Sequence, residues 1–192
     1  MRRLLAFVLC VIVSVSSAGA NQPEWWRNGG PRLRPQDPRV TTLLEVGMLR
    51  SPTLRALADR IEASDVFVYV GMSRTIHARL AGCLAFMTRT DKHRYLRAYL
   101  NPDLSQDLLI AALAHELQHA VEVIDEPSVV DEKSLSAFYK RVGMPSRVAR
   151  SQGWETRVAQ ATGQQVGREL VATRAANVAE LRGRERAKVT NQ

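Results

Sequence analysis

The chain has 192 residues, of which 45% are hydrophobic, and this is enough for one domain with a buried core but hardly for two. One of its two cysteines, Cys10, lies in an apolar N-terminal run, so Cys83 is left alone and a disulfide scaffold is excluded. Much of the net charge of +8 lies in a basic C-terminal stretch, which argues against a basic nucleic-acid groove through the body of the protein. That stretch contains Arg174, Arg182, Arg184, Arg186 and Lys188.

Residues 1–20 are typical of an export signal. A short basic start precedes Leu4–Val15, an apolar run too short to span a bilayer, and Ala18–Ala20 supplies a small-x-small cleavage site. We therefore expect a periplasmic or secreted mature chain of about 172 residues that starts near Asn21, with no stable membrane insertion after cleavage. Loss of the two N-terminal arginines would lower its net charge to +6. Its partners would then lie in the cell envelope, and nucleic acid is not expected among them.

Residues 21–38 predict an irregular arm, because four prolines and two glycines interrupt any regular element. The adjacent Trp25 and Trp26 indicate that this arm docks its rings onto the body. Residues 40–62 then place apolar side chains at helical spacing. Ser51 divides them into two helices, since it can cap a second helix whose first turn tolerates proline.

Three strands are predicted next. Val66–Val70 is β-branched and aromatic throughout, which is typical of a strand covered on both faces. Arg79–Met87 is a second extended run, and Thr90–Lys92 is a plausible hairpin turn before His93–Leu100. The last strand alternates between apolar and polar positions, so one of its faces should be solvated. The residues on that face would be Tyr95, Arg97 and Tyr99.

A nearly uncharged helix is predicted to begin after the N-cap Ser105 and to end near Ile124. Within it, His115, Glu116 and His119 form an HExxH pattern. Residues four apart share a helix face, so the two imidazoles can bind one metal ion. The intervening carboxylate can then reach a water in an open coordination position and take a proton from it.

A small sheet followed by a long HExxH helix resembles the core of the zincin metallopeptidases, over about residues 66–163. The resemblance implies an α+β, minimal zincin-like domain over residues 39–172, with about three strands packed on the active-site helix, further helices before and after, and a basic tail at 173–192. It implies one Zn²⁺ per chain, Glu116 as general base on a zinc-bound water, and a peptide or protein substrate. Zincins hold an extended substrate along a strand beside the cleft. Tyr95, Arg97 and Tyr99 would line that strand here, unless they are ordinary solvent-facing residues.

A catalytic zinc site needs a third protein ligand, and Glu155 is the first candidate. Glu155 is expected to open a helix over 155–171, which resembles the gluzincin arrangement, where a glutamate on a second helix completes the site. The sequence departs from that pattern at Gln160, because many gluzincins have an acidic residue near this position. Asp131 and Glu132 are more remote candidates.

Asp125 is the second candidate, because it lies ten residues after His115, where metzincins place their third ligand. Met144 could even correspond to their methionine turn. Metzincins, however, bend the helix at a glycine whose position is Glu122 here. Glu122 itself lies too far along the helix axis to complete the site easily. It could instead accept the N–H of His119 and fix its tautomer, or simply lie at the surface.

Residues 129–142 predict a further helix with an apolar face. On it, Tyr139 is either a core residue or a donor to a developing oxyanion. Beyond Ala172 the chain should be helical but weakly anchored.

Two functions remain open from the sequence. One is an exported zinc peptidase, and the other is a non-catalytic zinc-binding envelope protein that uses the same fold to bind a partner. The sequence does not indicate the oligomeric state.

Overall fold

The computed structural model describes residues 31–75, 80–145 and 154–190, without the side chains of 181–190. The export signal and most of the predicted arm therefore lie outside the described residues. The described part is an α+β fold of five helices, a four-stranded mixed sheet and a two-stranded sheet, which confirms the predicted fold class. In chain order, the elements are β1 Leu33–Pro35, α1 Pro38–Arg50, α2 Pro52–Glu62, β2 Val66–Met72, β3 Gly82–Arg89, β4 Arg94–Leu100, α3 Gln106–Asp125, α4 Glu132–Val142, β5 Met144–Pro145, β6 Trp154–Glu155 and α5 Arg157–Thr190.

The main sheet has the strand order β1-β2-β4-β3, in which β1, β2 and β4 are parallel and β3 is antiparallel to β4. Alternate residues of β2 and β4 are fully buried against the helices. The strand β4 is therefore interior, and its main chain is already paired on both sides. This corrects the expectation that Tyr95, Arg97 and Tyr99 line a substrate-binding strand, because they lie on the half-buried face that is turned away from the helices.

The strand β1 lies within residues 21–38, for which the sequence predicts an irregular arm. Leu33 is almost completely buried and pairs with Val68 of β2. The Glu62 carboxylate accepts hydrogen bonds from the backbone N–H groups of Arg32 and Leu33, both at 2.9 Å. Pro35 is tolerated because it ends an edge strand, where no ladder donor is needed.

The helices α1 and α2 confirm the predicted division at Ser51. Asp37 caps α1 through a 3.0 Å bond from the Val40 N–H, and Ser51 caps α2 through a 3.0 Å bond from the Leu54 N–H. Both helices pack beside α3. There, Gly47 is needed, since a Cβ at this position would lie 2.4 Å from a methyl group of Leu54.

The helix α3 begins and ends within one residue of the prediction, and its buried side is mostly apolar. Ser105 occupies the N-cap position but makes no capping bond through its side chain. The helix α5 differs more, because it begins at Arg157. Glu155, which was expected to open it, pairs in β6 with Met144 of β5 instead.

The helix α5 is the longest in the described chain and packs along α3. It continues through the predicted basic tail as far as Thr190. The pair between Arg174 and Asp107 anchors it to the start of α3, and residues 175–180 are exposed. No helix among the described residues is both long and apolar enough to cross a membrane.

Candidate metal centre

The two histidines of the HExxH pattern lie next to each other on one side of α3. The rings of His115 and His119 are edge to face, with centroids 4.8 Å apart and an interplanar angle of 83°. His119 is buried, and His115 is half-buried at the cleft. The helical repeat therefore places both imidazoles on one side, as the spacing predicts.

Glu155 joins the two histidines from β6. Its Oε2 lies 3.0 Å from His115 Nε2. One ligand atom from each of His115, His119 and Glu155 lies within 4.8 Å of the other two. Ligand atoms around one tetrahedral zinc are about 3.3 Å apart, so only small side-chain movements would close this set on an ion.

The Oε2 atom of Glu155 is buried and accepts no hydrogen bond of good geometry from the described residues, despite its closeness to His115. Buried polar atoms without such a partner are uncommon in folded proteins, and a bound ion can satisfy them. Burial opposes ionisation at both residues. The carboxylates of Glu155 and Glu116 nevertheless raise the pKa of His115, and the His115 imidazole lowers the pKa of Glu155. The site thus favours a positive charge, which a proton or a cation can supply.

The alternative third ligands lie elsewhere. Asp125 is exposed and pairs with Arg60. Asp131 caps α4 by accepting a 2.7 Å bond from the Ser134 N–H, and the Glu132 carboxylate lies 3.3 Å from the Phe86 N–H. None of these carboxylates belongs to the cluster that could hold a metal ion within the described ranges. The histidine pair is therefore joined by Glu155, although Glu155 comes from a short strand and not from the predicted helix.

Glu122 has the supporting position that the sequence left open. Its Oε2 lies 2.8 Å from His119 Nδ1, which leaves His119 Nε2 as the nitrogen that can face a metal. Its Oε1 accepts a 2.5 Å bond from the hydroxyl of Thr156. The same hydroxyl oxygen accepts a 3.0 Å bond from the Ala159 N–H at the start of α5.

Sequence reasoning missed Thr156. A threonine directly before a helical segment is a recognisable capping signal, but its second partner, Glu122, lies 34 residues away in the chain. As a consequence, the adjacent residues Glu155 and Thr156 are linked to both histidines. Glu155 approaches His115 directly, and Thr156 holds the carboxylate that orients His119.

Tyr139 is a core residue, which decides between its two predicted roles. Its ring meets His119 edge to face at 5.1 Å, and its hydroxyl donates a 3.1 Å hydrogen bond to the His119 carbonyl. The side chain is buried, and this burial raises the pKa of the hydroxyl above its usual range. Since its one donor hydrogen is engaged by the backbone, Tyr139 supports α3 rather than an oxyanion.

Glu116 points from α3 toward the start of β3. It is only 4% exposed, and this burial raises the pKa of its carboxyl, although the two histidines oppose the shift. A Cβ added at Gly82 would lie 2.8 Å from Glu116 Oε1 and 2.9 Å from the Tyr99 carbonyl oxygen. Glycine is therefore the residue that leaves room for this carboxylate. Burial and the Glu116 charge also raise the pKa of the half-buried Cys83 thiol to about 11, so that Cys83 is neutral near pH 7.

A cleft of about 980 Å³ opens beside these residues, between α3, the residues that lead into β3, and the β5–β6 pair. Among its described lining residues, only His115, Glu116 and Glu155 can carry a charge. Most of the other lining residues are apolar or small, with two glutamines. These are Leu80, Ala81, Gly82, Leu104, Leu108, Ala111, Ala112, Met144, Pro145, Gln160, Gly163 and Gln164.

The arrangement can hold a metal ion through two imidazoles and one carboxylate, and it leaves space for a further ligand on the side of the cleft. Gly163 lets α5 pack closely against α3 beside His115. A Cβ at this position would lie 3.2 Å from the Ala111 carbonyl oxygen and 3.4 Å from His115 Cβ. Comparison with family models, with curated proteins and with solved structures finds no match to this chain, so its function has to be inferred from the geometry of the site.

Proposed function

We propose that this protein is an exported zinc-dependent metallohydrolase of zincin type, gluzincin-like, and that it cleaves peptides. The observation that carries the proposal is the convergence of His115, His119 and Glu155, in which the buried Oε2 of Glu155 lies 3.0 Å from His115 Nε2 but accepts no hydrogen bond of good geometry from the described residues. A donor set of two imidazoles and one carboxylate with an open side is typical of catalytic zinc. Export rests on the N-terminal sequence alone.

The chain's own residues would divide the chemistry among them. When bound, zinc supplies Lewis acidity that activates a water molecule and polarises a carbonyl group. Glu116 takes a proton from the attacking water and returns it to the leaving amine. Burial suits Glu116 to take the proton, because a raised pKa makes the carboxylate a stronger base than an exposed glutamate.

The substrate would lie along the start of β3, which is the sheet edge next to the cleft. Gly82 lines the cleft and contacts Glu116, and the backbone of β3 is paired with β4 on one side only within the described sheet. An extended peptide can add to such an edge by main-chain hydrogen bonds. The uncharged wall formed by Leu104, Leu108 and Ala112 would suit an apolar side chain.

The test combines metal content with turnover. Elemental analysis of the purified mature protein should give about one zinc per chain, and His119→Ala should lose it, because His119 supplies one of only three protein ligands. The zinc-loaded protein should hydrolyse members of a fluorogenic peptide library. Glu116→Gln should keep zinc and lose about 10²- to 10⁴-fold in rate, since it removes the general base.

Each arm can fail separately. A Glu116→Gln variant that retains full activity would remove Glu116 from the mechanism. Zinc binding with no peptide turnover under any metal condition would favour the non-catalytic zinc-binding envelope protein. Absence of zinc even after reconstitution would show that His115, His119 and Glu155 do not form a zinc site.

A further inference from the structure

The sheet carries a basic and aromatic surface on the side opposite the helices. We call this surface the outer face and define it by Arg32, Arg34, Phe67, Tyr69, Arg97 and Tyr99. One row runs across three neighbouring strands, with Arg34 opposite Tyr69 and Tyr69 opposite Arg97. The inward residues of the same strands are fully buried, whereas those of the outer face are only partly buried. Helices therefore cover one side of the sheet and leave the other open within the described chain.

The guanidinium groups of the outer face lie over its aromatic rings. Arg34 Cζ is 4.5 Å from the Phe67 ring centroid, and Arg32 Cζ is 4.9 Å from the same centroid. Arg97 Cζ lies 5.8 Å from the Tyr99 centroid. Such stacking fixes the guanidinium planes at low entropic cost and leaves N–H groups along their edges for a ligand.

The arginines of the outer face are not paired with carboxylates in the described part of the chain. Among the described residues, Arg32, Arg34 and Arg97 form no ion pair, and their hydrogen bonds go to carbonyl oxygens, tyrosine hydroxyls or an imidazole. The Nε of Arg97 is buried and has no hydrogen-bond partner in this part of the chain. The nearby Glu62 carboxylate is already used by backbone N–H groups of β1 and of the residue before it.

Two arginines that pack against the helices differ in this respect. Arg50 pairs with Asp107 at 2.8 Å, and Arg94 pairs with Asp65 at 2.7 Å. The fold thus pairs these two arginines with carboxylates, whereas within the described residues no carboxylate forms an ion pair with an arginine of the outer face. An external anion is the complement that this face lacks.

The geometry favours one kind of anion. Nucleic-acid bases would need free ring faces to stack on, yet Arg34 and Arg32 lie over Phe67, and Tyr95 stacks on the same ring at 5.2 Å with an interplanar angle of 9°. Insertion into a bilayer would need protruding apolar side chains, and the large exposed apolar residues of the described chain lie outside the outer face. Phosphate groups spread over a flat surface remain compatible with both observations.

We propose that the outer face docks on the headgroups of an anionic phospholipid bilayer. Arg34 on β1 and Arg97 on β4 are separated by one intervening strand, which is about 10 Å, so each can reach a different headgroup. Tyr69 and Tyr99 hydroxyls beside them add polar contacts at headgroup depth. The inference is independent of hydrolysis, because none of these residues belongs to the metal centre.

The experiment is co-sedimentation of the mature protein with phosphatidylcholine vesicles that contain or lack phosphatidylglycerol. The protein should bind only the anionic vesicles, and less at high salt. Arg34→Gln with Arg97→Gln should weaken binding about 25-fold, at about fivefold for each arginine. Arg34→Lys with Arg97→Lys should retain most of it, since both double variants lose the stacked guanidinium planes but only the glutamine pair loses the charges.

The matched control removes two exposed arginines that also lack an ion pair in the described chain, through Arg39→Gln with Arg168→Gln, and should leave binding nearly unchanged. Equal binding to both vesicle types would overturn the proposal. Undiminished binding by the Arg34 and Arg97 glutamine variant would also overturn it and would assign binding to the basic C-terminal stretch. Single-stranded oligonucleotide binding that depends on these two arginines, without vesicle binding, would assign the face to nucleic acid.

Discussion

Two glutamates at the interface of α5 with the rest of the fold have opposite surroundings. Glu169 accepts hydrogen bonds from the Ser51 hydroxyl at 2.5 Å, the Thr53 hydroxyl at 2.6 Å and the Gln165 amide at 2.9 Å. Glu155 has a buried oxygen beside an imidazole, and in the described part of the chain this oxygen accepts no hydrogen bond of good geometry. At Glu169, which joins helices, the fold therefore supplies hydrogen-bond donors to both oxygens of a half-buried carboxylate. The contrast makes this oxygen of Glu155 informative, because a bound ion could satisfy it.

The carboxylates of α3 repeat the contrast. At the first turn of α3, the Arg50 guanidinium lowers the pKa of Asp107, so this carboxylate is ionised and forms an ion pair. In the middle of the helix, burial raises the pKa of Glu116, which faces the cleft. Carboxylates that stabilise the fold are thus paired and easily ionised, whereas the one proposed as the base is costly to ionise.

The largest expected effect separates Glu155 from Asp125. Glu155→Ala should weaken zinc binding more than the roughly 10- to 100-fold typical of an outer partner, because it removes one of three ligands. Asp125→Ala should leave zinc affinity unchanged, since Asp125 is exposed and pairs with Arg60. Competition with a chromophoric chelator measures both constants. The reverse result would replace the gluzincin-like ligand set with a metzincin-like one.

A smaller effect is expected from Thr156, whose side chain reaches the candidate metal site through its hydrogen bond to Glu122. Thr156→Val should weaken zinc binding about tenfold and speed its release, because the Glu122 carboxylate loses the donor that orients it toward His119. Thr156→Ser should restore the affinity, since the hydroxyl returns. Stopped-flow release of zinc to a chelator gives the rate.

The control for this prediction lies on the same helix interface. Thr162 donates a 3.3 Å hydrogen bond to Gln118, and in the described chain it forms none with Glu122 or His119. Thr162→Val should therefore leave zinc release unchanged. If both valine variants release zinc equally fast, the effect is one of helix packing, and the link from Thr156 to His119 is wrong.

The smallest expected effect concerns Glu169, whose carboxylate accepts several hydrogen bonds. Although burial opposes it, hydrogen bonds from Ser51, Thr53 and Gln165 lower the pKa of Glu169 below its ordinary value of 4.5. A lowered pKa contributes stability that is present above the ordinary value and lost as the pH falls through the folded-state value. Glu169→Gln should thus lower the free energy of unfolding by about 1 kcal/mol at pH 7 and by less in acid, without loss of zinc.

Urea unfolding from pH 7 down to pH 3 measures this difference. Glu45→Gln, at an exposed position on α1, is the matched control and should change stability little at any pH. A stability difference for Glu169→Gln that stays constant with pH, or a loss of zinc in that variant, would break the distinction between the two glutamates.

The sequence predicts those parts of the molecule that depend on local chemistry. The bounds of α3, the shared face of His115 and His119, and the cap at Ser51 follow from helical spacing and capping. The proximity of Glu155 to the histidines follows from a family resemblance alone, and the helix predicted to begin at Glu155 begins two residues later, at Arg157. Boundaries of this kind are the least certain part of a prediction from sequence.

What the sequence does not predict depends on contacts between distant residues. The strand β1 exists because it pairs with β2, whereas the prolines around it favour irregular chain. The interior position of β4 follows from the parallel pairing with β2, which no local pattern encodes. Thr156 resembles an ordinary helix cap until Glu122 is found beside it.

The edge of β3 that is unpaired in the described sheet bears on self-association as well as on the proposed substrate binding. Open strand edges are templates for other chains, including copies of the same protein. Here a bulge between Phe86 and Thr88 interrupts the ladder, and the Glu132 carboxylate occupies the Phe86 N–H. Strand alternation leaves the backbone of Leu84 and Gly82 on that same edge, and Gly82 lines the cleft. An edge with only two open backbone positions, Gly82 and Leu84, can pair with a short peptide. It is too short to start edge-to-edge aggregation of the folded protein.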